Sequence, residues 1–263
     1  MCLIALNWQP QSSVPLVIAA NRDEFYARPT LPLHLWADQA ILAGKDLQAG
    51  GTWLGVSTSG RLAALTNYRD VSQNRPTAPS RGDIATAFLT GSATAGQYLG
   101  ELASRAHAYN PFNLLVFDGT SLMGFESRHC RAIKLPEGIH AVSNADFNTP
   151  WPKLKRLRNG FVQALAQHDF GAGYTAKPSG VNALFALLSD RRTAADPDLP
   201  QTGIPLDREK ALSAEFIHTP HYGTRASAVV ILNRGHADFV ERSFDVNGFA
   251  GEAHQRFDWE IQK

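Results

Sequence analysis

Residues 15–25 read Pro-Leu-Val-Ile-Ala-Ala-Asn-Arg-Asp-Glu-Phe, an apolar run followed by four consecutive polar side chains and a phenylalanine. The apolar part has the length of a buried strand and is preceded by turn-forming residues. A similar apolar run, residues 2–7, comes just before it. The two runs predict a hairpin in which Cys2 lies near the polar end of the second strand, residues 21–24.

The rest of the chain contains blocks of strands and blocks of helices. Strands are predicted over residues 53–58, 61–67, 113–118, 121–127, 131–135, 139–144, 226–233 and 237–245, and helices over residues 83–89, 94–109, 151–167 and 179–189. Because the elements come in blocks rather than in strict alternation, we expect antiparallel sheets with helices layered outside them. No fixed repeat and no linker divides the sequence, so residues 1–263 are predicted to form one α+β domain.

Composition and charge exclude several classes of protein. The 263 residues are 44% hydrophobic and 19% charged, which indicates a globular core. A formal charge of +1 provides no field that would attract nucleic acid or anionic lipid. No apolar run approaches the roughly 20 residues that a membrane-spanning helix requires. We therefore expect a soluble protein with no membrane span and no nucleic-acid partner.

The cysteine and histidine content points to a reducing compartment and to no metal. Cys2 and Cys130 are too few for a disulfide framework, and no signal sequence is recognisable, so a cytoplasmic location is expected. His218 and His221 have the spacing of a metal pair, but the chain has no H-E-x-x-H motif and no clustered cysteines. We expect neither a metal nor a resident cofactor.

Cys2 follows the initiator methionine, and we predict that removal of Met1 leaves Cys2 as the first residue of the mature chain. An N-terminal cysteine carries a thiol and a free α-amine, and the amine, with a pKa of about 7.7 to 8.0, can act as a base toward the thiol. A nearby cation such as Arg22 can lower the thiol pKa, and the Asp23 carboxylate can hold an α-ammonium. From position alone, Cys2 also fits a small buried hydrophobe, and residues 21–24 fit a solvated strand end.

Two further segments have a structural explanation and a functional alternative. Residues 49–55 are rich in glycine but match no dinucleotide or Walker loop, so they predict a turn before a strand; close approach of the backbone to a ligand is the alternative. Residues 153–158 are basic with interleaved leucines, which predicts an apolar helix stripe opposite a solvated basic face. Binding of an acidic partner is the alternative for that segment.

Short motifs spread in order along the chain carry a resemblance to a known family. They are Met1-Cys2, Asn21-Arg22-Asp23-Glu24-Phe25, Arg28-Pro29, Gly44-Lys45-Asp46, Gly50-Gly51-Thr52-Trp53-Leu54-Gly55, Thr66-Asn67, Ser80-Arg81-Gly82, Phe112-Asn113-Leu114-Leu115, Ser143-Asn144, Trp151-Pro152-Lys153 and Tyr222-Gly223-Thr224-Arg225. Together they resemble the NRDE protein family, to which the Transport and Golgi organization protein 2 homologues belong. The resemblance implies the fold of N-terminal nucleophile hydrolases, a four-layer αββα sandwich of two antiparallel sheets between helices.

Within that fold the motifs are most similar to linear-amide hydrolases with an N-terminal cysteine. The resemblance implies hydrolysis of a non-peptide carbon–nitrogen bond or a related acyl bond in a small molecule. The residues that it places in the catalytic site are Cys2 as nucleophile, Arg22 and Asp23 as activating residues, Asn144 as oxyanion-hole donor, and Arg225. Those expected to contact the substrate are Asn21, Trp53 and Asn67.

A second class of function remains open. Eukaryotic members of the family have been linked to haem trafficking and to lipid or acyl-coenzyme A metabolism, so the resemblance also implies a non-enzymatic carrier of haem or an acyl lipid. A haem carrier needs an apolar cleft and an axial histidine, tyrosine or cysteine. His218, His221, Tyr222 and Cys2 are the residues available for that role, and the sequence does not rank them.

Overall fold

The computed structural model describes residues 2–36, 38–73, 75–171 and 178–259. In chain order the strands and helices are β1 (Cys2–Trp8), β2 (Leu16–Phe25), β3 (Thr30–Trp36), β4 (Ile41–Asp46), β5 (Leu54–Ser57), β6 (Leu62–Asn67), α1 (Gly82–Thr90), α2 (Ala95–Arg105), β7 (Phe112–Phe117), β8 (Leu122–Glu126), β9 (Arg131–Lys134), β10 (Gly138–Val142), α3 (Pro152–Gln167), α4 (Pro178–Leu188), α5 (Leu206–Ala211), β11 (Tyr222–Leu232), β12 (His236–Asp245) and β13 (Gly248–Asp258). No described helix is long and apolar enough to cross a bilayer.

The strands form two antiparallel sheets. Sheet one has the strand order β10-β1-β2-β11-β12-β13, and sheet two has the order β3-β4-β5-β6-β7-β8-β9. Sheet one is assembled from both ends of the chain, because β11 pairs with β2 across a large sequence separation. Sheet two is a meander of neighbouring strands.

Three apolar layers hold the two sheets and the helices together. Along β1, Ile4 and Leu6 face the layer between the sheets, whereas Leu3 and Ala5 face helices α3 and α4, as the two-residue period of a strand requires. Helices α1 and α2 cover the outer face of sheet two. The predicted four-layer α+β architecture is therefore confirmed. Because both faces of the central strands are buried, they read as continuous apolar runs rather than alternating ones.

Three strands of the structure were not predicted from the sequence. In β3, Pro32 interrupts the strand pattern, and the pairing with β4 is irregular between Leu31 and His34. The strand β4 is short and contains a glycine, and β13 is an edge strand that is mostly solvent-accessible and polar. These features weaken the periodicity on which the prediction depends.

The glycine-rich segment 49–55 forms the predicted turn before β5. Gly50 adopts φ +81°, a conformation that favours glycine. The next residue, Gly51, passes so close to Gly82 at the start of α1 that a Cβ on Gly51 would lie 2.5 Å from the Gly82 carbonyl carbon. The close approach made by this segment is therefore between two stretches of backbone.

Candidate active site

An open cavity of about 1130 Å³ lies between the two sheets, and Cys2 is part of its wall. Backbone pairing places Cys2 opposite Arg22, Arg22 opposite Ala226, and Ala226 opposite Ser243. We call this row of four residues the cavity floor, because all of them line the cavity. The predicted hairpin thus brings the Cys2 thiol and the Arg22 guanidinium to the same face of sheet one.

The Cys2 side chain is largely enclosed at the end of the cavity floor. Its residue is only 6% exposed, and burial raises the pKa of the thiol, while the positive charge of Arg22 acts in the opposite direction. The thiol is therefore mainly protonated at neutral pH and needs a base before it can act as a nucleophile. The prediction that Met1 is removed concerns a residue outside the described ranges.

Arg22 is fixed in place by the Gly44-Lys45-Asp46 motif. Its Nη2 lies 3.2 Å from Asp46 Oδ2, which also accepts a 2.6 Å hydrogen bond from Arg28 Nε. The other oxygen, Asp46 Oδ1, accepts hydrogen bonds from the backbone amides of Gln48 and Ala49. Asp46 therefore anchors both arginines at the wall of the cavity, a role for which the sequence analysis assigned no residue.

Asp23 lines the cavity next to the floor and is tied to strand β11. Its Oδ1 accepts a 2.7 Å hydrogen bond from the Thr224 hydroxyl, and its backbone oxygen accepts one from the Tyr222 hydroxyl. Burial raises the pKa of Asp23, and the positive charge of Lys153 opposes that shift. Because both bonds go to the neighbouring strand of the same sheet, Asp23 is held in a fixed orientation at the end of β2.

The buried Asn144 orients Asn67, which reaches the cavity. Asn144 Nδ2 donates to the backbone oxygen of Asn67 at 3.0 Å and to its Oδ1 at 3.1 Å, so both hydrogens of this amide are used. Asn144 is fully buried, whereas Asn67 lines the cavity. Within the described ranges the Nδ2 group of Asn67 has no hydrogen-bond partner. The structure therefore places Asn67, rather than the predicted Asn144, where an amide can donate into the cavity.

Asn21 lies on the opposite face of sheet one, away from the cavity. Its Nδ2 donates to the backbone oxygens of Leu188 and Glu215, and its Oδ1 accepts a 2.6 Å hydrogen bond from the Ser227 hydroxyl. The residue is fully buried and does not line the cavity. The predicted substrate contact is thus not formed by Asn21, because the strand alternation turns its side chain toward the helices and its polar atoms are already bonded.

Arg225 occupies a β-bulge between Thr224 and Ala226 and lines the cavity rim. Its guanidinium donates to the backbone oxygens of Phe25, Tyr26, Arg28 and Phe244. These bonds connect the loop after β2 to the end of β12. The structure places Arg225 at the rim as a bracing residue rather than beside the Cys2 thiol.

Other side chains of the cavity wall complete the site. Trp53, predicted as a substrate contact, lines the cavity and is 8% exposed. Arg81 also lines it and donates to the Pro111 oxygen; burial lowers the pKa of Arg81, and the charge of Cys2 opposes this shift. Arg81 is therefore a second cation near the thiol, and its only sequence signal was the Ser80-Arg81-Gly82 motif.

Lys153 contradicts the predicted solvated basic face of α3. The residue is 1% exposed, and within the described ranges its Nζ has no hydrogen-bond partner. Burial lowers the pKa of Lys153 to about 8, and the charge of Arg69 acts in the same direction. Lys155 and Arg158 are exposed as predicted, whereas Arg156 is half-buried and paired with the buried Glu215 at 2.8 Å.

Among the four possible axial ligands for haem, Cys2 and Tyr222 line the cavity, whereas His218 and His221 do not. Burial raises the pKa of Tyr222 well above its ordinary value, which disfavours the phenolate form that binds haem iron. His218 instead lies 3.1 Å from the Tyr26 hydroxyl. Over the described ranges, no group of three histidine, cysteine or acidic side chains has an arrangement that could hold a metal ion.

Fold and cavity together define a four-layer α+β protein with a cysteine on its first strand, facing a polar cavity between the sheets. The family model described as Transport and Golgi organisation 2 matches residues 1–246, and the chain belongs to this family.

Comparison with individual relatives agrees with this membership. The chain is 35% identical over 261 residues to the Transport and Golgi organization protein 2 homolog of Bos taurus, covering 92% of this chain and 93% of that protein. It is 26% identical over 294 residues to Transport and Golgi organization protein 2 of Drosophila melanogaster, covering 99% of each.

Two solved structures are similar to this chain at low sequence identity. One is the Caenorhabditis elegans ortholog of N-acylethanolamine-hydrolyzing acid amidase, with a TM-score of 0.45 and 11% identity, covering 88% of this chain and 92% of that one. The other is a mutant conjugated bile acid hydrolase from Clostridium perfringens, with a TM-score of 0.43 and 10% identity, covering 99% of this chain and 98% of that one.

Proposed function

We propose that the protein is a cysteine hydrolase that cleaves a non-peptide amide or a related acyl bond, with Cys2 as the nucleophile. The observation that supports this most directly is the position of Cys2, at the end of the cavity floor and paired in register with Arg22. A buried structural cysteine would not need an arginine on the same face of the sheet, where the guanidinium requires its own anchor.

The proposed reaction begins with removal of Met1, which gives Cys2 a free α-amine. This amine accepts the thiol proton, and Sγ attacks the carbonyl carbon of the substrate. The resulting oxyanion accepts a hydrogen bond from Asn67 Nδ2, and the α-ammonium returns the proton to the leaving nitrogen as the carbon–nitrogen bond breaks. Water then hydrolyses the thioester and regenerates the thiol.

The surrounding charges support each stage of this reaction. Arg22 lies beside the sulfur and stabilises the thiolate, with Arg81 as a second cation. In this proposal the Asp23 carboxylate, whose orientation is fixed by Thr224, holds the α-ammonium. In this proposal Asn144 and Arg225 are positioning residues that orient Asn67 and the cavity rim.

The first test measures the intact mass of the purified protein before and after treatment with chloroacetamide. We expect a mass that lacks Met1 and one rapid alkylation near neutral pH, which persists in Cys130→Ala and is lost in Cys2→Ala. Cys130 is an exposed free cysteine and provides the internal reference for an ordinary thiol. A library of acyl amides then identifies substrates that the wild type hydrolyses and Cys2→Ala does not.

The same measurement separates the hydrolase from a non-catalytic carrier. A chain that keeps Met1, or a Cys2 that reacts no faster than Cys130, would refute the hydrolase proposal and favour a protein that only binds its ligand. Titration with haem then tests the carrier directly, since a bound haem gives a Soret band and a flat titration excludes it.

A further inference from the structure

The cavity contains a buried carboxyl group that the proposed reaction does not use. Glu241 on β12 is 3% exposed and lines the cavity. It lies two positions from Ser243, the last residue of the cavity floor, and therefore points to the same face of sheet one. A carboxyl group buried to this extent normally has a cation or several hydrogen bonds to compensate its charge.

The contacts of Glu241 leave one oxygen without such compensation. Its Oε1 accepts a 2.8 Å hydrogen bond from the Leu33 amide, and this is its only hydrogen bond within the described ranges. A Cβ on Gly44 would lie 3.3 Å from Oε2, so the glycine of the Gly44-Lys45-Asp46 motif leaves this oxygen uncovered. Burial raises the pKa of Glu241 to about 7.

The cations on the neighbouring strands are directed elsewhere. Arg22 on the cavity floor donates to Asp46, and the Lys45 ammonium lies over the Trp36 ring, 4.4 Å from its centroid. In the part of the chain that the structure describes, Glu241 forms no ion pair within 4 Å. The charge of Arg22 partly opposes the effect of burial on the Glu241 pKa, but among the described residues of the wall no cation is in contact with this carboxylate.

We propose that Glu241 binds an ammonium group of the substrate, at the end of the cavity floor opposite Cys2. This inference rests on the proposed function, because the position of the ammonium group in the substrate is deduced from the distance between Glu241 and Cys2, which cleaves the bond. Three strand spacings separate the two residues, which is roughly 14 Å across the sheet, with a further offset of roughly 7 Å along the strands. The substrate class is thus an extended acyl amide with a basic nitrogen remote from the scissile bond.

The test uses two chloroacetamides that differ only at the far end of their chain. One carries an aminooctyl group, whose ammonium can reach Glu241 from an alkylated Cys2, and the other carries a nonyl group. We expect the ammonium reagent to alkylate Cys2 faster than the nonyl reagent, as measured by the dependence of the rate on reagent concentration. Loss of one charge-assisted contact corresponds to about tenfold or more in this ratio.

Two variants remove the subsite in different ways. Glu241→Gln keeps an oxygen for the Leu33 amide but removes the charge, and Gly44→Ala places a methyl group against Oε2. Both are expected to bring the rate ratio of the two reagents close to one. Glu252→Gln is the control, since this carboxylate is paired with Arg242 at 2.7 Å and should leave the ratio unchanged.

The outcomes distinguish the inference from the function on which it rests. If Cys2 is alkylated rapidly but the ratio is the same in wild type and Glu241→Gln, the ammonium subsite is refuted and the hydrolase proposal stands. If neither reagent alkylates Cys2 faster than Cys130, the hydrolase proposal fails and the subsite fails with it.

Discussion

At the scale of single residues, the pair Asn144 and Asn67 shows how a fully buried amide orients a half-buried one at the cavity wall. The Ser143 hydroxyl donates to Asn144 Oδ1 at 3.1 Å, and Asn144 in turn donates both amide hydrogens to Asn67. This chain of bonds determines which atom of Asn67 faces the cavity. A donor that is already oriented before the substrate arrives requires no reorganisation when negative charge develops.

We predict that Asn67→Ala lowers the turnover of an acyl-amide substrate by roughly 100- to 1000-fold, the usual loss for one oxyanion donor. The rate of Cys2 alkylation should hardly change, because Asn67 acts on the substrate oxygen rather than on sulfur. Steady-state kinetics and alkylation of the same preparation provide both values. An Asn67→Ala variant with wild-type turnover would remove this residue from the proposed mechanism.

Lys153 gives a prediction about stability. Its pKa of about 8 in the folded chain is below its ordinary value of 10.5, so folding is opposed by the buried ammonium at pH values below 8. This cost declines as the pH rises from 8 to 10.5. We expect Lys153→Met to raise the free energy of unfolding at pH 7, by about 3 kcal/mol at most, and to raise it less at pH 9.5.

Urea unfolding at the two pH values measures this difference. Lys155→Met on the exposed side of α3 is the matched control and should show no such pH dependence. A Lys153→Met variant that is less stable than wild type by the same amount at both values would contradict the prediction.

The proximity of Cys2, Arg22 and Asp23 could be predicted from the sequence, whereas the burial of Lys153 and Glu241 could not. A hairpin is a local structure, and its register follows from two adjacent apolar runs. The inward turn of Lys153 depends on how the start of α3 meets the end of sheet one. Glu241 lies on a strand that is buried on both faces. The residues adjacent to it in the sequence therefore do not reveal that its side chain faces the cavity rather than the helices.

At the scale of elements, the contact between the turn before β5 and the start of α1 sets the spacing between sheet two and its helices. We predict that Gly51→Ala lowers the free energy of unfolding by about 2 kcal/mol, because the new methyl group would meet the Gly82 backbone, which cannot move aside as a side chain can. Thermal and urea unfolding both report this loss.

A glycine in α2 provides the control for this substitution. Nothing lies within 4 Å of a Cβ on Gly100, so Gly100→Ala should stabilise the protein, by about 0.5 to 1 kcal/mol, through its better helix propensity. Equal effects of the two substitutions would show that the Gly51 contact does not constrain the fold.

Most of the central strands and the long helices could be predicted because their apolar pattern is strong, whereas the edge strands β3 and β13 could not. In β13 most side chains are accessible to solvent, and its pairing with β12 is what determines the strand. In β3 the pairing continues on both sides of Pro32 because the irregular register tolerates a residue without an amide hydrogen. Pairing with a neighbouring strand, rather than local sequence preference, therefore determines the edge strands β3 and β13.

At the scale of the whole molecule, buried ionisable groups in two different layers shape the dependence of stability on pH. Glu241, between the sheets, has a pKa raised from 4.5 to about 7, so its ionisation in the folded chain opposes folding above that pH and has no effect below 4.5. We predict that Glu241→Gln leaves stability unchanged at pH 4.5 and raises the free energy of unfolding at pH 8, by about 3 kcal/mol at most.

Unfolding curves at pH 4.5 and pH 8 measure this difference, and Glu252→Gln again serves as the control. A Glu241→Gln variant whose effect does not depend on pH would show that this carboxyl group is ionised as easily in the folded chain as in the unfolded one. The combined cost of the buried charges of Glu241 and Lys153 is therefore greatest between pH 7 and 8, where both groups are ionised in the folded chain.

The pairing of β1 between β2 and β10 has a consequence for how the gene can change. Successive residues of this strand point alternately into the cavity and into the helix layer, so the loss or gain of one codon within it would exchange the two sets. The thiol would then face apolar helices, and Leu3 or its neighbour would take its place above the cavity. A substitution in β1 keeps the alternation of its side chains. A change in the length of β1 shifts that alternation and separates the sulfur from Arg22 in a single mutational step.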